Sequence, residues 1–363
     1  MKILVFPNRM RGNPYFENFL QGLRAAGIED VRLSSVLSLR SGFDAMHLHH
    51  PDHAVTQGNL LKSIVLTAAL LWIAFYARLS GRPVVWMVHD VEPAWVRRKT
   101  FLFTYMKAIN QLTTAYIFLN QSSQQLFSRR NPREVGKPYC FTPHSRFQTK
   151  MFEAAAVREH RQAHGIGDAE ILISVLGSIT PHKGLERAAL IPEKTRSGRT
   201  VKLAVCGMID NVLPRDYVDT ILGQRSGEAY LRVADRLTDE ELALWIQSSD
   251  AVFLPYQLGS NSGMALNVLS NHGRIISSDL PMFKELAERC GPSWIRCVDL
   301  QDAAALAGTV DAIEAWTGQE RDFNRLEGVL TEGDPVENGR KLLGFYRDLQ
   351  RTTGHLPGPL AAS

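Results

Sequence analysis

The sequence is poor in cysteine, and its cysteines form no metal-binding or disulfide pattern. Cys140, Cys206, Cys290 and Cys297 are scattered without the close spacings of zinc sites or secreted disulfide scaffolds. Cys140 and Cys206 stand among apolar, strand-like residues, which predicts reduced core thiols and a cytoplasmic protein. The opening apolar run, residues 2–6, is too short for a signal peptide and is typical of a first β-strand.

The chain also lacks a large excess of charge, internal repeats and low-complexity segments. Its 363 residues carry a formal net charge of +4, which is too small to indicate nucleic-acid binding. That charge is compatible with an anionic substrate or an anionic membrane surface. A chain of this length predicts about two domains.

No apolar run is long enough to predict a membrane-spanning helix. The most hydrophobic run, residues 63–77, is shorter than the roughly 18–20 residues that a spanning helix needs. We therefore expect a buried helix of the first domain there. The basic-aromatic segment 95–107, which begins Trp-Val-Arg-Arg-Lys, is the better candidate for contact with a membrane surface.

One stretch, Asp250 to Leu286, organises the second half of the chain. It contains a strand signal that stops at Pro255, a loop of small residues at 259–263, a helix-like run and a second strand. The free N–H groups and the positive dipole end of a helix N-terminus favour an anion in such a loop. The stretch therefore predicts either a phosphate or diphosphate site or an ordinary turn capped by serine or asparagine.

In the amino half, polar residues follow each predicted strand. The strand signals cover residues 2–6, 43–49, 83–88, 115–119 and 139–144. Ligands of open α/β sheets bind beyond the carboxyl ends of the strands. Arg9 and Asn13 follow the first strand and are thus placed to bind a ligand, unless their loop is simply solvated.

Four histidines near the second clear strand raise the question of a metal site. His47 and His49 alternate along the strand, and His50 and His53 follow it. No acidic or cysteine partner stands at a familiar ligand spacing, so we predict a polar strand end and no metal.

The second half repeats the strand-and-helix pattern and predicts a second α/β domain. A strand at 170–176 precedes a glycine-containing loop, and a later helix begins with a capping box of Thr238 and Glu241. The predicted fold is α/β, with two Rossmann-like domains facing a cleft. The predicted limits are 1–150 for the first domain, 165–335 for the second, and 336–363 for a C-terminal helix and tail.

Two motifs in the second half resemble GT-B glycosyltransferases of the family-4 kind. Gly177–Leu185 is similar to their G-x-x-x-x-x-K-G segment, and Asp250–Tyr256 to their strand ending in proline. The amino half, with Asn13-Pro14-Tyr15 and Val88-His89-Asp90, more loosely resembles bacterial β-mannosyl and related transferases of exopolysaccharide assembly.

The resemblance implies a nucleotide-sugar donor bound by the second domain and an acceptor bound by the first. We predict no cofactor. Lys183 occupies the position of the lysine that contacts the donor diphosphate, where its charge would stabilise the leaving group. Ser178 stands where the family commonly has an arginine. The residues that would bind the rest of the donor are Val233 near the nucleobase, and Ser260, Asn261, Ser262 and Gly263 at the diphosphate.

The sequence departs from the family at the two positions where retaining enzymes carry glutamates. These positions are Gly259 and Asn267, and Asn267 keeps only a hydrogen-bonding side chain for a ribose or a phosphate. Without a carboxylate beside the donor, we expect an inverting transfer, which needs a base acting on the acceptor hydroxyl. The candidates for this base are Asp52, His89, Asp90 and Glu92, among which we favour Asp90, with His89 positioning a hydroxyl.

The sequence therefore predicts a metal-independent hexosyltransferase that uses GDP-mannose or a UDP-sugar. Its acceptor would be a lipid-linked saccharide, and the protein would lie peripherally on the inner face of the cell membrane. The alternatives are a retaining enzyme, a catalytically silent nucleotide-sugar-binding subunit and an epimerase. Product stereochemistry, turnover and the need for an acceptor distinguish them.

Overall fold

The computed structural model describes residues 1–7, 10, 14–32, 42–56, 59–91, 98–223, 225, 229–233 and 236–353. These residues form two compact units. Unit 1 comprises residues 1–145 and 332–363, and unit 2 comprises residues 146–331. Predicted residues Arg9, Asn13 and Glu92, together with positions 95–97 of the basic-aromatic segment, lie outside the described residues.

Up to residue 145, strands and helices alternate along the chain. The elements are β1 (Lys2–Phe6), α1 (Pro14–Ala25), β2 (Glu29–Arg32), β3 (Ala45–Leu48), α2 (His53–Thr56), α3 (Leu60–Leu79), β4 (Val84–Val88), α4 (Lys99–Leu112), β5 (Ala115–Phe118), α5 (Gln121–Arg130), a 3-10 turn (Pro132–Glu134) and β6 (Tyr139–Phe141). The six described strands form one parallel sheet in the order β2-β1-β3-β4-β5-β6.

Unit 2 repeats this alternation. Its elements are α6 (Ala154–Ala163), β7 (Ile171–Leu176), 3-10 turns at Pro181–Lys183 and Leu185–Leu190, β8 (Val201–Cys206), α7 (Tyr217–Leu222), β9 (Tyr230–Val233), α8 (Asp239–Ser248), β10 (Ala251–Leu254), α9 (Gly263–Ser270), β11 (Ile275–Ser278), α10 (Pro281–Cys290), β12 (Ile295–Val298), α11 (Ala303–Asp311), α12 (Ile313–Thr317) and α13 (Phe323–Glu332). Its described strands form a parallel sheet in the order β12-β11-β10-β7-β8-β9. A last helix, α14 (Pro335–Thr353), returns to unit 1.

The strand orders place a switch point in each sheet. In unit 2 the chain runs outward from β7 through β8 to β9, and then from β10 outward in the other direction. In unit 1 the corresponding reversal lies between β1 and β3. Loops that leave neighbouring strands in opposite directions open a crevice at the carboxyl ends of the strands, where open α/β sheets bind ligands.

Helix α14 completes the core of unit 1 by close packing on α1. Leu342, Tyr346 and Leu349 are buried there. A Cβ built on Gly339 would lie 2.0 Å from the carbonyl oxygen of Gly22. Any larger residue at position 339 would push the two helices apart, so glycine permits this approach. The predicted tail helix is therefore a structural part of unit 1.

The segment that leads into unit 2 is tied to it by Asp250. One carboxylate oxygen of Asp250 accepts the N–H of Leu172 at 2.8 Å and a bond from Arg161 of α6 at 3.4 Å. The units change between residues 145 and 146 and between 331 and 332, whereas the sequence-based limits lie at 150, 165 and 335.

Candidate functional site

Two loops meet at the switch point of unit 2. Gly177 follows β7 with a φ of +87°, and its N–H donates to the carbonyl of Cys206 at 2.9 Å. A Cβ built on Gly177 would lie 2.6 Å from Cε of Met264, the second residue of α9. A side chain at this position would displace the Met264 methyl group, and the positive φ itself favours glycine. The loop after β7 lies directly against the start of α9.

Gly184 holds the lysine segment against the chain that leaves β10. Its φ of +64° is left-handed, and a Cβ there would lie 2.3 Å from the carbonyl oxygen of Pro255. One residue earlier, Lys183 ends a single 3-10 turn. The carbonyl of His182 accepts the N–H of Gln257 at 2.8 Å. These backbone contacts fix the position from which the Lys183 side chain projects.

Lys183 is half-buried as a residue, and its ammonium has no carboxylate partner within ion-pair distance among the described residues. Its Nζ lies 5.8 Å from the centre of the Tyr256 ring. It also lies 3.9 Å from where a Cβ on Gly177 would stand. A partly desolvated cation without a carboxylate partner is stabilised by an anionic ligand.

The N-terminus of α9 adds a second anion-binding feature beside this lysine. Ser262 caps the helix, and its Oγ accepts the N–H of Ala265 at 3.1 Å. The N–H groups of Gly263 and Met264 precede the first bond within the helix, so they are available to a ligand. In the preceding loop, Ser260 is buried and Asn261 is half-buried. The helix dipole and these N–H groups favour a phosphate at this place.

The other predicted donor residues lie at the same edge of the sheet, except Asn267. Ser178 is exposed directly after Gly177. Val233 ends β9, and its carbonyl accepts the N–H of Gly207 at 2.9 Å. Asn267 lies a turn into α9, where its Oδ1 accepts a bond of 2.8 Å from Asn271. That oxygen is thus engaged within the helix, which leaves the amide nitrogen as the donor available to a ligand.

A carboxylate close to Lys183 in the sequence is engaged elsewhere. Glu186 accepts hydrogen bonds from Gln257 and, at 3.2 Å, from the Tyr217 hydroxyl. Desolvation, together with the negative charge of Glu186, raises the pKa of Tyr217 to about 12. Glu186 therefore fastens the lysine segment to α7 and the chain after β10.

In unit 1, the strand ends bring a group of histidines together. His49 and His50 follow β3, and His89 follows β4, the neighbouring strand. The ring centres of His49 and His89 are 4.3 Å apart, and those of His50 and His89 are 4.2 Å apart. Tyr15 of α1 packs on His144, which follows β6, with ring centres 3.9 Å apart. Tyr15 and His144 were missed as members of this group because their strands and helices become neighbours only through the sheet order.

The buried histidines of this group are held in the neutral form. His49 is fully buried and His89 nearly so. Desolvation, followed by the charges of neighbouring histidines, lowers the pKa of both well below the usual value. Desolvation likewise lowers the pKa of His144 to about 4. Neutral imidazoles can position a hydroxyl group as donor or acceptor without carrying charge into the site.

A hydrogen-bonded chain runs from this group to the C-terminal helix. His49 Nδ1 lies 3.3 Å from Nε2 of His47, and His47 Nδ1 lies 2.5 Å from the hydroxyl of Tyr346. His47 is fully buried, and desolvation lowers its pKa to about 3. Nε2 of His49 has no hydrogen-bond partner among the described residues. The bond from His47 to His49 Nδ1 thus leaves Nε2 as the ring nitrogen of His49 that can meet a ligand.

Asp90 lies beside the histidines with its side chain exposed, whereas its neighbour His89 is buried. This is the arrangement that alternation at a strand end predicts. Desolvation by the surrounding protein raises the pKa of the Asp90 carboxyl group. Asp52 adds to this rise, and His50 opposes it. For Asp52, desolvation would also raise the pKa, but the hydrogen bond and charge of His50 outweigh it and the pKa is lowered.

His49, His50 and His89 could each offer one ring nitrogen to a metal ion, and these atoms lie within 4.8 Å of one another. The rings of His50 and His89 are stacked only 17° from parallel. Ligands of one ion must direct their nitrogens at it from different sides, so one ring would have to turn. The absence of a metal ion therefore stays a prediction, which the rate of the transfer reaction with and without divalent ions can test.

Comparison with known proteins defines the class of the chain. No family model matches it. A GDP-mannose:glycolipid 4-beta-D-mannosyltransferase of Xanthomonas campestris pv. campestris is 24% identical over 311 residues, which cover 84% of this chain and 80% of that protein. Sucrose-phosphate synthase of Thermosynechococcus elongatus has a TM-score of 0.69 at 14% identity and covers 97% of this chain and 99% of its own. HepE of Anabaena, solved with UDP and glucose, has a TM-score of 0.60 at 14% identity, covering 98% and 100%.

These likenesses confirm the predicted resemblance and the predicted fold. The chain has the GT-B fold, with two parallel α/β units that each carry a switch point. The predicted enzyme class agrees with these likenesses, since the Xanthomonas relative is named a mannosyltransferase.

Proposed function

We propose that this glycosyltransferase moves a hexose from a nucleotide diphosphate sugar to a hydroxyl group of a lipid-linked saccharide. The transfer would invert the anomeric configuration and need no metal ion. The Xanthomonas relative is named for GDP-mannose and a glycolipid, and HepE was solved with UDP and glucose. Both names support a nucleotide-sugar donor, and the first supports an acceptor attached to lipid.

The observation that carries this proposal is the ammonium of Lys183, which has no counter-ion among the described residues and lies beside the N-terminus of α9. A diphosphate between them would receive a point charge, backbone N–H groups and a helix dipole together. The same groups would stabilise the negative charge that develops as the nucleotide diphosphate leaves. Val233 at the end of β9 lies at the same edge of the sheet, where we propose that the nucleobase binds.

A thermal-shift panel of nucleotides tests the donor site. GDP, UDP, ADP and CDP would be compared at equal concentration, with the matching nucleosides as controls. A ligand that binds only the folded state stabilises it by about 2.7 kcal/mol at roughly a hundredfold excess over its Kd. We expect one diphosphate to raise the melting temperature and its nucleoside to have a much smaller effect. Equal shifts with the nucleoside and the diphosphate would contradict a phosphate site at Lys183.

The inverting outcome follows from the carboxylates that the donor site lacks. Gly259 and Asn267 offer no nucleophile on the donor side, so a single displacement by the acceptor is favoured. Asp90 is the proposed base in unit 1. Anomeric coupling constants of the product, measured by NMR, distinguish the outcomes. Retention of the donor configuration would contradict the proposal.

We expect transfer to continue at the parental rate after exhaustive dialysis against EDTA. The diphosphate charge would be neutralised by Lys183 and backbone amides instead of a divalent ion. The measurement is the initial rate before and after dialysis, with and without added Mg²⁺, Mn²⁺ or Zn²⁺. Loss of activity that one of these ions restores would show that His49, His50 and His89 bind a functional metal.

A catalytically silent subunit is the second candidate, favoured by the same absence of glutamates at Gly259 and Asn267. Such a subunit would pass the thermal-shift panel but would neither hydrolyse the donor nor transfer its sugar to any lipid extract. Turnover by the purified chain excludes it.

A further inference from the structure

Helix α3 has an apolar outer face whose large side chains remain exposed among the described residues of unit 1. The large side chains of this face are exposed by 71% at Leu61, 58% at Val65, 60% at Trp72, 44% at Phe75 and 72% at Leu79. With exposed Ala68 between them, these positions recur every three or four residues and form one stripe along the helix. We call this stripe the outer face of α3. It corrects our expectation of a buried helix at residues 63–77.

The opposite face of α3 is the one that packs into the protein. The buried residues of this face are Ser63, Thr67, Leu70, Ile73, Ala74 and Ala77. The hydroxyl of Ser63 donates to the carbonyl of Val55 at 3.0 Å. Leu70 and Ile73 are the large side chains that this face contributes to the core, whereas the large side chains of the outer face remain exposed. A contiguous exposed apolar stripe of this kind marks an interaction surface.

The charged residues of α3 and α4 are all basic. Neither α3 nor α4 contains an aspartate or a glutamate. Lys62 and Arg78 are exposed near the ends of α3, and Lys99 and Lys107 are exposed on α4, which contacts α3. Phe103, 62% exposed, lies between the two α4 lysines in the sequence and on the same side of that helix. An apolar stripe edged by cations, with aromatic residues among its members, matches the interface of an anionic bilayer.

We propose that the outer face of α3 lies in the plane of an anionic membrane and inserts Leu61, Val65, Trp72, Phe75 and Leu79 among the lipids. Lys62, Arg78, Lys99 and Lys107 would contact the headgroups. The choice of a lipid surface as the occupant rests on the proposed lipid-linked acceptor, which an enzyme must meet at the bilayer. The stripe and its cations are the independent structural ground.

Our expectation that this run is too short to cross a membrane was wrong, because α3 extends to 20 residues and is long and apolar enough to do so. Its contacts nevertheless favour an in-plane position. About a third of α3 is buried inside the protein. Leu70, Ile73 and Ala74 belong to the core that also contains Met46 of β3 and Val84 of β4. Insertion across the bilayer would remove these residues from the sheet and open the core of unit 1. Insertion of the outer face alone leaves that core unchanged.

The test compares two double variants that change equally exposed apolar residues. Val65→Gln with Trp72→Gln removes two side chains of the outer face, 58% and 60% exposed. Val135→Gln with Met151→Gln is the control, at 64% and 54% exposure. Because glutamine is a good helix former, we expect the α3 variant to fold. Its melting temperature is measured to confirm this. Binding is measured by flotation with vesicles of phosphatidylcholine alone or with phosphatidylglycerol.

We expect the parent and the control to float with phosphatidylglycerol vesicles. The α3 variant should bind these vesicles at least about tenfold more weakly, because burying even one large apolar side chain strengthens binding by at least about that factor. Replacing Lys62, Arg78, Lys99 and Lys107 with glutamine should abolish the preference for anionic vesicles. Equal binding of the α3 variant and the control would overturn the proposal. So would a parent that dimerises through α3 in light scattering and ignores vesicles.

Quenching by brominated lipids distinguishes an in-plane helix from a spanning one. Trp72 lies near the middle of α3, so a spanning helix would carry it toward the bilayer centre, and an in-plane helix would keep it near the headgroups. We expect the fluorescence component that is lost in Trp72→Phe to be quenched most by bromines near the headgroups. Strongest quenching from the chain ends would overturn the in-plane position.

Failure of the proposed membrane surface can be distinguished from failure of the proposed donor site. The nucleotide thermal shift of the α3 variant should equal that of the parent, because the outer face is in unit 1 and the proposed diphosphate site in unit 2. Vesicle binding without any nucleotide shift would leave the surface supported and remove the proposed function. A nucleotide-induced thermal shift without vesicle binding would support the donor site and overturn the proposed membrane surface.

Discussion

Replacement of Lys183 by alanine should lower kcat by about 10²-fold or more, with a smaller effect on donor affinity. The ammonium has no counter-ion among the described residues, so its charge is available for the diphosphate. That charge matters most in the transition state, where negative charge accumulates on the leaving group. Steady-state kinetics with saturating acceptor measure the effect. Lys183→Arg should recover only part of the rate, because a guanidinium is larger and cannot act as a compact point charge.

A matched control separates this effect from a general loss of positive charge in unit 2. Lys150 is also a lysine of unit 2, but it is bonded to Glu240 in the first turn of α8. Lys150→Ala should therefore retain the parental kcat. A folded Lys183→Ala protein with unchanged kcat would remove the lysine from the donor site, and with it the main support for the proposed function.

Asp90→Asn should abolish transfer while leaving the nucleotide thermal shift intact. Asparagine keeps the shape of the side chain but removes its basicity, and a general base contributes about 10²- to 10⁴-fold. Asp44→Asn is the control. Asp44 precedes β3, at the opposite end of the strand from the histidines, and its carboxylate accepts the backbone N–H of Lys2 at 2.7 Å. If Asp90→Asn transfers sugar at the parental rate, the base lies elsewhere, and Asp52 is the next residue to change.

The pH dependence of kcat/KM is a second test of Asp90 as the base. The protein around Asp90 raises the pKa of its carboxyl group to about 6. A base must be deprotonated to act, so the rate should be full above that pH and fall as the pH drops through it. Asp52 has a lowered pKa and would place this decline at lower pH. A profile that stays flat well below pH 6 would therefore argue against Asp90.

Local pattern was sufficient to predict the parts of the donor site that lie close together in sequence. The capping box of Thr238 and Glu241 is present as predicted, because its two hydrogen bonds join residues three apart. The loop and helix after β10 are also local, so small residues and helical spacing indicated them. The position of Lys183 over Gly177 needs the close approach of Gly184 to Pro255, which only the folded sheet brings about.

The features that the sequence did not predict depend on distant pairings. Alternation placed His47 and His49 on one side of a strand, but the meeting of His49 with His89 requires β3 and β4 to be neighbours. The uniformly apolar run of α3 concealed which of its faces is buried, since the periodic signal vanishes when both faces are apolar. Nothing near residue 346 indicated that Tyr346 would bond to His47.

The return of α14 to unit 1 sets an order for folding on the ribosome. Residues 1–145 emerge first, but Leu342, Tyr346 and Leu349 of their core follow only after all of unit 2 has been made. At about 5–20 residues per second, this delay is roughly 10 to 40 s. Unit 2 is continuous in sequence and can fold during that time. Until α14 has been synthesised, the face of α1 around Gly22 is exposed and His47 lacks its hydrogen-bond partner Tyr346. We therefore expect chaperones to bind unit 1 during this interval.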